Sequence, residues 1–195
     1  MKILVFTEGT IIMHGNARGV SRDEAVRQSK LAGIQQEERT LSYNMKSLKE
    51  AEPGSPYDCS SYIPAGHAAE KLMRWKKQGA IILYLTSRRI KKEVEAIRTI
   101  LEKYSFPDAN NLYFRQQGED YKDVAEKLMP DIIVEDDCES IGGKVEMTYP
   151  HIREDLKRKI KSIVVKEFEG IDYLSDNLSD LSKQPKVRES FEDIS

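Results

Sequence analysis

Two kinds of hydrophobic pattern alternate along the chain. The first is a short run in which nearly every residue is apolar. Residues 2–6 (Lys-Ile-Leu-Val-Phe) form such a run and end abruptly at Thr7-Glu8-Gly9-Thr10. Residues 80–85 repeat it and end at Thr86-Ser87, and Asp131-Ile132-Ile133-Val134 ends at Glu135-Asp136-Asp137. Ser162-Ile163-Val164-Val165 is a fourth, more polar example. A run apolar at every position, rather than at every second one, belongs to a strand covered on both faces, as in a parallel sheet.

The second pattern has apolar residues three or four apart among charges, the signature of an amphipathic helix. Ala68, Ala69, Leu72 and Trp75 form one stripe, with Gly79 as its stop and Trp75 as a core residue. Val94, Ile97, Leu101 and Tyr104 form a second. Tyr121, Val124, Ala125 and Leu128 form a third, opened by Asp120 and closed by Pro130. Ser21-Arg22-Asp23-Glu24 matches a capping box at the head of a helix over about 22–32. Strands alternating with helices predict an α/β fold with a mainly parallel sheet. Residues 11–62 interrupt the rhythm with that helix, a polar middle and the turn-rich Glu52-Pro53-Gly54-Ser55-Pro56. They read as a small helical cap inserted after the first strand of one unit spanning 1–183, with 184–195 as a polar, frayed tail.

Composition narrows the function classes. The 195 residues carry 33 acidic and 31 basic side chains, a formal net charge of −2. That balance argues against a bulk nucleic-acid binder, whose footprint is strongly basic. The apolar runs are far shorter than the ~20 residues needed to span a bilayer. The N-terminal run meets Glu8 too soon to be a signal peptide. Cys59 and Cys138 are far apart and form no paired motif, so the expectation is a reduced, cytoplasmic protein. No HExxH, GxSxG, Walker A or CxxC motif is present, leaving metalloprotease, esterase, NTPase and zinc-ribbon readings unsupported.

The chemistry gathers where the strands end. Ligands of an open α/β sheet bind outside the carboxyl ends of its strands. Here those ends carry Thr7 and Glu8, then Thr86, Ser87 and Arg88, then Glu135, Asp136 and Asp137. Adjacent carboxylates at a sheet mouth are tolerable when a hard cation such as Mg²⁺ neutralises them. Lys122, on the helix before the acidic strand, adds a positive charge. Hydroxyl, lysine and metal together describe a phosphoryl-group site, where catalysis is mostly positioning and charge neutralisation. His14, His67 and His151 lack partners at metal-ligand spacing and read as surface residues. Arg88-Arg89 and the basic run 153–161 read as helix surface.

This order of features resembles the haloacid dehalogenase-like (HAD) superfamily of hydrolases. The family's pattern is a strand ending in D-x-D-G-T, a strand ending in Thr or Ser, a Lys, and a strand ending in an acidic pair. The matching segments are Phe6-Thr7-Glu8-Gly9-Thr10, Leu85-Thr86-Ser87, Lys122 and Glu135-Asp136-Asp137. The resemblance covers roughly residues 1–10 and 62–175. It implies a HAD-like, Rossmannoid three-layer fold and a Mg²⁺-dependent hydrolase acting on a small phosphorylated molecule. In that scheme Asp136, with Asp137 or Glu135, holds Mg²⁺, while Thr86, Ser87 and Lys122 hold phosphate. Glu8 moves a proton for an attacking water or for Thr7. The departure lies in the first motif. Without a gap, Phe6 takes the place of the family's nucleophilic Asp; with one residue deleted, Thr7 takes it. Neither is a carboxylate, and an unassisted Thr hydroxyl is a poor nucleophile. The alternative is a catalytically inactive binding or assembly module of the same fold. A receiver-like domain is disfavoured because its acid pair follows the first strand.

Overall fold

The computed structural model describes residues 1–32 and 51–183. Its elements, in chain order, are β1 (Lys2–Phe6), β2 (Ile12–Met13), α1 (Arg22–Ala32), β3 (Ile63–Pro64), α2 (Ala68–Lys77), β4 (Ile81–Leu85), α3 (Lys91–Lys103), β5 (Leu112–Tyr113), α4 (Tyr121–Leu128), β6 (Ile132–Asp136), α5 (Glu154–Lys157), β7 (Lys161–Val165) and α6 (Leu178–Lys183). Short 3₁₀ turns join several of them. The four strands and the helices 22–32, 68–75, 94–104 and 121–128 expected from patterning all form, with their ends shifted by three residues at most.

The main sheet is five-stranded and parallel in the order β5-β4-β1-β6-β7. The chain starts in the centre, steps outward to β4 and β5, then crosses back to β6 and β7. Strand–helix–strand crossovers keep one hand, so reversing the direction of travel moves the connecting helices to the opposite face. Two hydrophobic clusters show this. Ile3, Val5, Ile82, Tyr84, Ile132 and Val134 face Leu72 and Trp75 of α2 and Val94, Ile97 and Leu101 of α3. Leu4, Leu83, Leu85 and Ile133 face Val124 and Ala125 of α4, with Leu156 of α5 alongside. The result is a three-layer α/β fold with a doubly wound sheet, and it explains why the strands read as continuously apolar. Trp75 is fully buried, its indole N–H donating to the Ser175 carbonyl at 2.9 Å.

The helix ends follow the chemistry of their residues. Asp120 and Asp123 form a reciprocal capping box on α4, and Met129 closes the helix in the left-handed region (φ 45°) just before Pro130. Ser21 Oγ accepts the Glu24 N–H at 3.2 Å. Gly79 follows α2 at φ +93°, a conformation that favours glycine.

Between β1 and α2 the chain forms α1 as expected, together with a two-stranded antiparallel ribbon pairing Ile12 with Pro64 and Met13 with Ile63. The ribbon and β5 escaped the pattern reading because strands of two residues have no periodicity. The polar middle over 33–50 and the tail over 184–195 lie outside the described residues. Among the described residues, no helix is long and apolar enough to cross a membrane.

Candidate functional site

After β1 the chain curls back on itself. The Thr7 carbonyl accepts N–H groups from both Ile11 and Ile12, each at 3.0 Å, and the Gly9 N–H donates to the Ile12 carbonyl at 2.9 Å. Gly9 sits at φ +80°, and a Cβ there would lie 2.8 Å from Asp136 Oδ2 and 3.2 Å from Glu167 Cγ. Only glycine lets the loop pass between the ends of β1, β6 and β7.

That curl aims Glu8 at the end of β4. Thr86 Oγ1 donates to Glu8 Oε1 at 2.6 Å, and the Ser87 N–H donates to Glu8 Oε2 at 3.0 Å. Thr7 Oγ1 lies 2.7 Å from Glu8 Oε2 and 3.3 Å from the Leu85 carbonyl. Arg88 Nε stands 3.6 Å from Glu8 Oε1. The Arg88 guanidinium is anchored by the Pro56 carbonyl at 3.1 Å and the Tyr62 hydroxyl at 2.9 Å. The expectation that Arg88 lies on a helix surface is corrected: its side chain is 12% exposed and belongs to this mouth. Thr7 and Thr86 are fully buried. Phe6, the last residue of β1, packs edge-on against Tyr121 with ring centroids 5.6 Å apart, and the Arg115 guanidinium lies 3.6 Å over the Tyr121 ring.

The ends of β6 and β7 carry the opposite character. Oxygens of Asp136, Asp137 and Glu167 lie within 4.8 Å of one another. Asp136 accepts from the Cys138 N–H at 2.9 Å and from Thr10 Oγ1 at 2.8 Å. Glu167 accepts both the N–H and the hydroxyl of Ser140, at 2.7 and 2.6 Å. Asp137 accepts the Glu167 N–H at 3.1 Å and faces Arg22 Nη2 at 3.5 Å. Arg22, the first residue of α1, also donates to the Glu167 carbonyl at 3.0 Å and pairs with Glu139 at 2.5 Å. It ties α1 to the acidic loops. Burial pushes the Asp136 carboxyl up to about 6, with Glu135 and Asp137 adding repulsion, and pushes Glu167 up to about 7, with Asp136 adding to it.

Glu135 stands apart from this triplet. It is 2% exposed and accepts the N–H groups of Thr148 and Tyr149 at 2.7 and 3.0 Å. Burial pushes its carboxyl up to about 7. Side chains alternate across a strand, so consecutive residues 135 and 136 point to opposite faces of the sheet. The structure thus brings together Asp136 and Asp137 but puts Glu167, rather than Glu135, beside them. Glu167 follows β7 as the other candidates follow their strands, and that rule could have found it.

A cavity of about 140 Å³ opens between the two mouths, lined by Phe6, Glu8, Ser87, Lys122, Asp136 and Glu167 among others. Lys122 reaches it from the first turn of α4. His14 lines it too, which corrects its reading as a surface residue: it is 1% exposed, its ring edge-on to Phe168 at 5.6 Å, and burial lowers its pKa. His67 is exposed and bonds Asp172, whereas His151 is half-buried with Nε2 3.0 Å from the Val145 carbonyl. In the basic run, Lys161 is buried and its ammonium bonds the Leu181 carbonyl, a second departure from a surface reading. Both cysteines are free thiols. Burial pushes Cys59 up to about 11 and Cys138 further, so neither is a ready nucleophile.

A comparison with solved structures finds a likeness to the crystal structure of a HAD family hydrolase from Deinococcus radiodurans R1 with bound phosphate and sodium. The two share 13% identity, over 84% of this chain and 79% of that one, at a TM-score of 0.43. No family model matches the sequence, and no curated protein matches it. The fold and site define an α/β protein with a crevice at the carboxyl end of a parallel sheet, in which charged side chains are set within a largely apolar lining.

Proposed function

We infer that this is a HAD-like protein whose crevice binds a small phosphorylated molecule and holds it without covalent phosphoryl transfer. The observation that carries the reading is the end of β1. The place of the family's nucleophile falls to Phe6, whose ring packs on Tyr121, and the adjacent Thr7 hydroxyl is fully buried. Neither can attack phosphorus. Lys122 and Ser87 line the cavity with donors suited to phosphate oxygens. The oxygen-only set of Asp136, Asp137 and Glu167 fits a hard divalent cation such as Mg²⁺, which would favour their charged forms and offset their mutual repulsion. Bound there, Mg²⁺ would supply charge neutralisation for the ligand's phosphate.

The test is a panel of phosphorylated metabolites screened by thermal shift with and without Mg²⁺, with free phosphate assayed in parallel. Binding is expected to raise the melting temperature without phosphate release. Turnover by the wild type that disappears in Asp136→Ala would overturn it. A second reading, Mg²⁺-dependent hydrolysis by water, is favoured by Glu8 lining the same cavity as Asp136 and Glu167, where a carboxylate can take a proton from water. The two readings separate at Phe6→Asp. A binding module gains at most a trace of hydrolysis from that substitution, whereas a working hydrolase is disturbed by it.

A further inference from the structure

The donors at the end of β4 converge on a point that a side chain of the protein already fills. The Thr86 hydroxyl accepts the Arg88 N–H at 3.1 Å, which leaves its own hydrogen pointing at Glu8 Oε1, 2.6 Å away. The Ser87 N–H, at 3.0 Å, and the Thr7 hydroxyl, at 2.7 Å, meet the other carboxylate oxygen. The Arg88 guanidinium stands 3.6 Å off, itself held by Pro56 and Tyr62. One backbone N–H, two hydroxyls and a buried cation around two oxygens make a cradle for an oxyanion. Both oxygens of Glu8 are engaged in it, so a ligand anion cannot use the same donors unless the carboxylate leaves.

We propose that Glu8 is a built-in occupant of this oxyanion cradle, and that a phosphate-bearing ligand reaches Thr86, Ser87 and Arg88 only by displacing it. The ligand class rests on the reading that the crevice takes phosphate; the occupied cradle does not. Glu8 lies on the loop that curls from β1 to the ribbon, and its side chain is 13% exposed at the cavity wall. A rotation of that side chain into the cavity opens the cradle without disturbing the sheet. Wild-type affinity for phosphate is therefore set by the exchange of one anion for another rather than by an open site.

The experiment measures inorganic phosphate binding by calorimetry to the full chain, wild type against Glu8→Ala, together with the effect of acetate on the melting temperature of each. Glu8→Ala is expected to bind phosphate at least tenfold more tightly than wild type, and acetate to raise its melting temperature while leaving wild type unchanged. Equal or weaker phosphate binding by a folded Glu8→Ala, with no acetate effect, overturns the proposal. Should Glu8→Ala fail to fold, Glu8→Gln keeps the bulk and removes the charge. It must then bind phosphate more tightly than wild type, or the proposal falls. The two readings fail separately. Acetate stabilising only Glu8→Ala, with no phosphorylated compound binding wild type, keeps the occupied cradle and removes the phosphate-ligand function. Tight ligand binding by wild type that Glu8→Ala leaves unchanged does the reverse.

Discussion

The two mouths of the crevice use the same residue types to opposite ends. At β1 and β4 a single acid, Glu8, meets two hydroxyls, an N–H and a guanidinium, and its charge is matched by donors. At β6 and β7 three acids crowd within 4.8 Å. They are met by Ser140, Thr10 and backbone N–H groups, with Arg22 the cation beside them. The first arrangement is satisfied as it stands. The second crowds its acids in a buried place, where burial first and neighbouring carboxylates second raise the carboxyls of Asp136 and Glu167. The same carboxylate is therefore an asset to folding on one side and a liability on the other.

The largest effect should come from the residue that separates the two mouths. Gly9→Ala places a Cβ 2.8 Å from Asp136 Oδ2 at a φ of +80°. Left-handed strain and overpacking together are expected to destabilise by about 2–5 kcal/mol, read by urea unfolding. A loss under ~1 kcal/mol would mean that the loop does not hold the mouths apart.

Next in size is a matched pair of neutralisations. Glu8→Gln sets an amide N–H₂ against the donors at Oε2 and should destabilise by about 1–3 kcal/mol. Glu167→Gln keeps an acceptor for the Ser140 N–H and donates to its hydroxyl, while removing charge beside Asp136. At pH 8 it is expected to stay within about 1 kcal/mol of wild type, on the stabilising side. Equal losses for both variants would break the comparison.

The smallest effect is a pH dependence. Glu135 and Glu167 have carboxyls raised from the ordinary 4.5 to about 7. A raised carboxyl binds its proton more tightly when folded. Its contribution is complete below the unfolded value and is lost as pH rises through about 7. Melting temperature should therefore increase as pH falls from 8 to 5.5, and Glu167→Gln should flatten that rise. Acids with lowered pKa, such as the exposed Glu139 and the half-buried Glu119, weaken the protein on acidification only below that window.

Patterning was sufficient for the layers because burying a parallel strand on both faces demands apolar residues at every position, and a covering helix demands a stripe. Lys2–Phe6 and Tyr121–Leu128 form as the spacing predicts, ends included. Of the strand-end residues, Glu8, Ser87, Glu135 and Asp136 line one cavity. Patterning could not separate Glu135 from its neighbours, since Glu135 lines the same cavity while its carboxylate takes the N–H groups of Thr148 and Tyr149. Glu167 lay within reach of the strand-end rule, since it follows β7, but Arg22 and the burial of His14 did not, because each owes its position to a contact across 100 or more residues. Local sequence determined which elements form and that polar groups collect at one end of the sheet. Only the tertiary structure decided which donor meets which acid, because a side chain's partner is set by the order in which strands pack, and that order does not follow the order of the chain.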